Sequence, residues 1–173
     1  ITLSSQNKIL KLLYVARFSP EKGHLTLLKA LKKLNFKYTI TLVGSGCSKK
    51  NKFLIKSLSK IGCEYKIYET YDDIDSLYRE SNYTLLFSRS EASPNVLVES
   101  MRQGTPCITT PVGNTSEMVG KYGWVTNDFS VNSVIRDLHK ANIIFENYSK
   151  YNKLRLNCYR HISKIFSLDE MIL

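Results

Sequence analysis

Hydrophobic positions along this chain follow two alternating periods. Short apolar runs bounded by turn residues read as strands, and the stretches between them carry apolar residues at helical spacing. The run at residues 12–16, Leu-Leu-Tyr-Val-Ala, predicts the first strand. A polar turn, Arg17-Phe18-Ser19-Pro20-Glu21-Lys22-Gly23, follows it. Leu25, Leu27, Leu28, Leu31 and Leu34 then predict a helix over 24–34. Residues 38–43 form a β-rich run that ends at Gly44-Ser45-Gly46. A helix is expected over 49–60, a strand over 63–68, and a short helix over 72–79 behind an acidic cap. The run 83–87 reads as a buried strand. Behind it Ser93 suits an N-cap, Pro94 a first helical position and Gly104 a stop. A short strand at 106–109, a short helix at 116–119 and an edge strand at 123–126 come next. Two helices with a break near Asn147 fill 131–164.

Regular alternation of strand and helix predicts an α/β fold, a Rossmann-like parallel sheet with helices on both faces. Ligands of such sheets sit at the carboxyl ends of the strands. Four polar clusters fall at those ends: residues 17–22, 44–46, 88–95 and 110–114. Arg17 and Lys22 could clamp a diphosphate, Arg as a planar fork and Lys as a point charge. Taken alone, they read as two solvated loop cations of a basic protein. Gly44-Ser45-Gly46 could bring backbone close to a ligand or be an ordinary turn, and no G-x-G-x-x-G accompanies it. Glu91 precedes the central helix and Glu99 lies one to two turns inside it. Between them are the free N–H groups of a helix start, which suit a phosphate or polyol. A capping acid and a surface acid would fit the same positions.

With 173 residues the chain suits a single domain with a substantial core. Its first residues carry no signal-peptide pattern and the chain does not begin with Met, so a fragment of a longer protein is expected. No apolar run has the length of a membrane span. The formal charge of +10 favours anionic partners. The basic run Lys49-Lys50-Asn51-Lys52 and the late basic helices read as solvated faces, and a nucleic-acid role ranks last because basic and aromatic residues do not interleave. Cys47, Cys63, Cys107 and Cys158 form no C-x-x-C and read as thiols of a cytoplasmic protein. His24, His139 and His161 have no metal-ligand spacing and read as surface or helix-packing residues.

One long motif carries a resemblance. Glu91-Ala92-Ser93-Pro94-Asn95-Val96-Leu97-Val98-Glu99-Ser100-Met101-Arg102-Gln103-Gly104-Thr105-Pro106 is similar to the paired-glutamate signature of glycosyltransferase family 4, the retaining glycosyltransferases of GT-B fold. Val15-Ala16-Arg17-Phe18-Ser19-Pro20-Glu21-Lys22-Gly23, Val43-Gly44-Ser45-Gly46, Val112-Gly113-Asn114-Thr115-Ser116-Glu117 and Gly123-Trp124-Val125 match its other motifs in order. Residues 166–171 resemble the start of the family's last helix. Ala16, Ala92 and Asn114 stand where the family usually has glycine, and Glu69-Thr70 replaces another glycine.

The resemblance implies the donor-binding half of such an enzyme, with an amino-terminal acceptor domain missing from these residues. Arg17 and Lys22 would hold the diphosphate of a UDP- or GDP-sugar and stabilise the leaving group, and Glu91 would position the sugar. Glu99 would bind the ribose hydroxyls, and backbone around Asn95, Val96, Leu97, Gly44 and Gly113 would meet the ligand. The nucleobase would lie near 66–71. No cofactor and no metal are implied, because cations and the helix dipole replace the metal. Surface polysaccharide assembly, at the cytoplasmic face of a membrane with peripheral contact to it, is the expected setting. Two alternatives stand beside this one. One is the matching half of a nucleotide-sugar epimerase; the other is a non-catalytic nucleotide-binding module.

Overall fold

The computed structural model describes residues 8–91 and 94–167. Six strands, β1 (Leu10–Val15), β2 (Tyr38–Val43), β3 (Glu64–Tyr68), β4 (Tyr83–Leu86), β5 (Cys107–Thr109) and β6 (Trp124–Val125), form one sheet in the order β3-β2-β1-β4-β5-β6. Every pairing is parallel. Seven α-helices accompany it among the described residues: α1 (His24–Leu31), α2 (Lys52–Ile61), α3 (Ile74–Glu80), α4 (Asn95–Arg102), α5 (Thr115–Val119), α6 (Val131–Glu146) and α7 (Tyr148–Ile165).

Strand period sends alternate residues to opposite faces. On β1, Leu10, Leu12 and Tyr14 join the core under α1, α2 and α6, with Leu27, Leu31, Leu54, Leu58, Val134 and Leu138. Leu13 points the other way and packs with Leu77 and Tyr78 of α3. Beside it, Leu86, Leu97, Met101, Cys107, Met118 and Ile162 form a second core under α4, α5 and α7. With both faces covered, the central strands are apolar almost throughout, as β4 shows by being buried at every position. All four cysteines are free thiols.

The elements fall where the periodicity predicts, with shifts at their ends. Helix α1 stops at Leu31, short of residue 34, because Lys33 N–H and Leu34 N–H bond the carbonyls of Ala30 and Leu31 at 2.9 and 3.3 Å in a tightened last turn. Helix α2 starts at Lys52 rather than 49, because Asn51 Oδ1 accepts from Leu54 N–H at 3.0 Å and fixes the cap there. At α4 the cap position is Pro94, in extended backbone with ψ 104°, and Asn95 is the first helical residue. The expected cap Ser93, with Ala92 and residues 168–171 of the last motif, lies outside the described residues. Asn147 ends α6 and caps α7, its Oδ1 accepting from Lys150 N–H at 3.0 Å.

Two glycines are required by close approach. Gly23 ends a single 3₁₀ turn (Pro20–Lys22) at φ 73° and begins α1, and a Cβ there would stand 2.0 Å from the Phe87 carbonyl oxygen. Gly44 at φ 146° faces the Ala16 carbonyl, 2.3 Å from its would-be Cβ. Asn114, where the resembled motif carries a second glycine, sits at φ −96° and needs no special backbone freedom; Gly113 before it takes φ 51°.

His24 is 2 % exposed and lies between the rings of Tyr14 and Phe18, at 5.0 and 4.8 Å between centroids. Burial pushes its imidazole down to about 4. His139 and His161 pack on helix surfaces, against Phe36 and Tyr122.

Two outcomes follow. Gly23→Ala forces a Cβ into the Phe87 carbonyl and should cost about 3 kcal/mol or more, read from the urea midpoint. His24 makes stability pH-dependent. The unfolded chain takes its proton near pH 6.5, whereas the folded chain resists it until about pH 4. Stability is therefore unaffected by this group above pH 6.5 and falls as pH drops toward 4, by up to roughly 1.4 kcal/mol per pH unit. Denaturation of wild type and His24→Gln at pH 7 and pH 5 should show the wild type losing more; parallel losses would clear His24 of the effect.

Candidate functional site

From β1 the chain runs outward to β2 and β3 on one side, and from β4 outward to β5 and β6 on the other. Adjacent strands β1 and β4 are therefore the switch point, where connections diverge and leave a crevice at the carboxyl ends. A cleft of about 560 Å³ opens there. Val15, Val43 and Leu86, at the ends of β1, β2 and β4, form its apolar floor. Arg17, Lys22 and Glu91 supply its charge, and Pro94, Asn95 and Val96 bring the start of α4 to it. That start presents the positive end of the helix dipole.

The walls are held by hydrogen bonds that continue past the strands. Ala16 N–H bonds the Val43 carbonyl at 2.9 Å, Phe18 N–H the Ser45 carbonyl at 2.7 Å, and Gly44 N–H the Tyr68 carbonyl at 2.9 Å. Tyr14 fastens the other side. Its hydroxyl donates to the Lys22 carbonyl at 2.5 Å and accepts from Phe87 N–H at 3.0 Å. Burial pushes its pKa far up, so the proton stays on. Arg89 N–H bonds the Glu21 carbonyl at 2.8 Å and closes the same seam.

Each cation of the cleft already holds a carboxylate. Lys22 Nζ pairs with Glu91 Oε1, which also accepts from Ser88 Oγ at 2.9 Å. Both partners of that pair are mostly buried, with side chains 21 % and 17 % exposed. Arg17 is 66 % exposed and bonds Glu21 at 2.7 Å. The Glu21 carboxyl is held down at about 2 by its own backbone N–H, with Arg17 adding to it.

The structure thus brings Arg17, Lys22, Gly44, Glu91, Asn95 and Val96 to one cleft. Three other residues singled out from the sequence do not line it. Leu97 is buried in the second core, and its N–H is bonded to the Pro94 carbonyl at 3.0 Å, so it is not free for a ligand. Gly113 lies in the β5–α5 loop. Glu99 is exposed one turn along α4 from Asn95, where its Oε2 accepts from Tyr78 Oη at 2.9 Å. Burial and then the Glu99 charge raise the Tyr78 pKa, so the phenol remains a donor.

Glu21 and Ser88 fall inside the polar clusters read from the sequence, and the structure adds their partners, Arg17 and Glu91; Tyr14 lies outside those clusters. Tyr14 sits inside an apolar strand and reads as core, yet a phenol in a buried strand needs a hydrogen-bond partner, and that was the available signal. The tripeptide Asp73-Ile74-Asp75 spaces two carboxylates as some metal sites do. Here Asp73 caps α3, accepting from Ser76 N–H at 3.1 Å. Among the described residues no group of three or more His, Cys, Asp or Glu side chains is placed to hold a metal ion, and no helix is long and apolar enough to cross a membrane.

Known proteins share both sequence and fold with this chain. An uncharacterized glycosyltransferase of Methanocaldococcus jannaschii, MJ1178, is 33 % identical over 108 residues, covering 62 % of this chain and 30 % of that protein. The Vi polysaccharide biosynthesis protein VipC/TviE of Salmonella typhi is 38 % identical over 58 residues, covering 32 % of this chain and 10 % of that one. The crystal structure of a Rickettsia africae glycosyltransferase superposes with a TM-score of 0.84 at 20 % identity, over 95 % of this chain and 45 % of that one. Anabaena Alr3699/HepE, solved in complex with UDP-glucose, gives 0.79 at 22 % identity, over 95 % and 46 %. This chain spans less than half the length of each of the four. Its fold is that of one half of a GT-B glycosyltransferase. Residues 3–159 match the description "Glycosyl transferases group 1", and the chain belongs to the glycosyl transferases group 1 family.

Proposed function

We propose that this chain is the donor-binding half of a retaining glycosyltransferase of family 4, transferring a sugar from a UDP- or GDP-sugar to a glycan or lipid-linked acceptor in surface polysaccharide synthesis. The observation that carries the reading is the Lys22–Glu91 pair at the start of α4, in the crevice between β1 and β4. Solved HepE holds UDP-glucose, and the name of VipC/TviE places that protein in polysaccharide synthesis. The acceptor-binding half and the cytoplasmic setting belong to the same proposal.

Each group in the cleft has a task suited to its chemistry. A diphosphate carries enough negative charge to draw Arg17 away from Glu21 and Lys22 away from Glu91. Those cations and the α4 dipole then stabilise the charge that develops on the leaving nucleoside diphosphate, without a metal or cofactor. Glu91, released from Lys22 and steered by Ser88, accepts hydrogen bonds from sugar hydroxyls and holds the anomeric carbon toward the acceptor. Glu99, already receiving one bond from Tyr78, uses its other oxygen for the ribose diol. Tyr68 and Tyr71, with ring centroids 4.9 Å apart beside the end of β3, border the place of the nucleobase. Attack from the face that the diphosphate leaves gives retention.

Calorimetric titration with UDP and GDP tests the reading. One of the two should bind saturably. Glu99→Ala and Lys22→Met should each weaken it about tenfold, near 1.4 kcal/mol. Binding of neither nucleotide, or equal binding by wild type and both variants, would sink it. In the same titration Tyr14→Phe should weaken binding by about three- to tenfold, because Lys22 loses its tether while a buried N–H loses its acceptor. Unchanged affinity would show that Tyr14 is core and no more. The 173 residues alone should transfer no sugar, and robust transfer would contradict the missing acceptor half.

A further inference from the structure

The charge of this protein is not spread over it. Residues 22–63 contain ten lysines and no Asp or Glu, while the rest of the chain carries 15 basic and 15 acidic residues. The whole formal +10 therefore resides in one continuous segment, which contributes α1, β2 and α2. Strand β2 lies inside the sheet, so the charge is displayed by the two helices and their flanking loops. Helices α1 and α2 lie side by side with a groove between them, lined by Leu25, Lys29, Lys32, Phe53 and Lys60 among others.

The groove combines cations with exposed apolar bulk. Leu25 is 51 % exposed and Phe53 54 %, each near the start of its helix. Lysines continue from them at helical spacing: Lys29 and Lys32 after Leu25, Lys56 and Lys60 after Phe53. Among the described residues no salt bridge engages Lys29, Lys32, Lys56 or Lys60. Phe53 is not a stray side chain, because its ring stands 6.4 Å from that of Phe18 and is backed by the loop that follows β1.

We propose that the α1–α2 face docks this protein onto an anionic lipid surface. Charge complementarity selects the partner. The lysines are spread along two helices instead of converging on one point, which suits a plane of headgroups and not a single anion. Leu25 and Phe53 enter the acyl boundary while the lysine stems lie along it and hold their ammonium groups at headgroup level. A bare polyphosphate partner would leave both apolar side chains without use. The surface is separate from the cleft, so docking does not depend on the donor reading. Because α1 begins beside Lys22, docking would keep the crevice close to the lipid plane.

Vesicle flotation tests the surface. The chain should rise with phosphatidylcholine vesicles holding about 30 % phosphatidylglycerol and stay behind with pure phosphatidylcholine, a difference of roughly tenfold that shrinks with salt. Leu25→Ser with Phe53→Ser should cut binding about fivefold at constant salt, and Lys29→Glu with Lys60→Glu should abolish it. Both double variants should keep the circular dichroism and nucleotide binding of the wild type, which separates this test from the donor assignment. No retention on anionic vesicles would overturn the proposal. So would retention indifferent to Leu25 and Phe53, or competition by duplex DNA that is equally indifferent to them. A concentration-dependent dimer lost in the Leu25/Phe53 variant would also overturn it, by assigning the face to a second copy of the chain.

Discussion

The seam between the β1–α1 turn and the end of β4 is the contact on which the rest depends. Gly23 lies so close to the Phe87 carbonyl that no Cβ fits, and the Tyr14 hydroxyl bridges Lys22 to Phe87 across the same gap. Strands β1 and β4 meet directly in the sheet, but their onward connections diverge. Without the seam, Lys22 and Glu91 would belong to two unrelated loops. With it they share one ion pair, although 69 residues separate them. A buried phenol suits this task because it donates one bond and accepts another from a single atom, and burial keeps it protonated.

The second organising feature is compensation of charge. A cleft with two bare cations would repel itself and invite any anion. Here Glu21 holds Arg17 and Glu91 holds Lys22, so a weak monoanion gains little by replacing a carboxylate that is already in place. Only an anion with more charge and more acceptors than a carboxylate competes with both pairs. Selectivity of this kind arises from the resting arrangement as much as from the complex.

Most of the fold was legible because its signals are local. The β2 run at 38–43 and the break at Asn147 were visible in the residues themselves, one by β-branched and aromatic content and the other by an Asn that can end one helix and start the next. Helix ends were less legible. Whether α2 begins at 49 or 52 is decided by which side chain caps it, and both Ser48, which accepts from Lys50 N–H, and Asn51, which accepts from Leu54 N–H, offer candidates. The site was legible as a set of clusters at strand ends, and the sheet order brought Arg17, Lys22, Gly44, Glu91, Asn95 and Val96 together. Leu97 stands apart from that cleft because a residue one step further along a helix start has its N–H taken by the cap carbonyl and its side chain turned to the core. Tyr14 was missed because an apolar strand conceals a bridging hydroxyl, and only the three-dimensional register reveals what it reaches.

The pairing of β1 with β4 also has a temporal side. Lys11 meets Asn82 across 71 residues, and Leu12 pairs with Tyr83. Strand β2 can join β1 early, because a single helix connects them. The other edge of β1 must wait for β4, and the crevice cannot exist until α4 has followed. Closing so long a loop costs more entropy than the local β1–β2 pairing does. During synthesis on the ribosome, the half-formed sheet exposes an open, apolar edge that another nascent chain could pair with. The geometry that creates a crevice at the centre of the sheet thus also leaves one edge of β1 unpaired until β4 has been made.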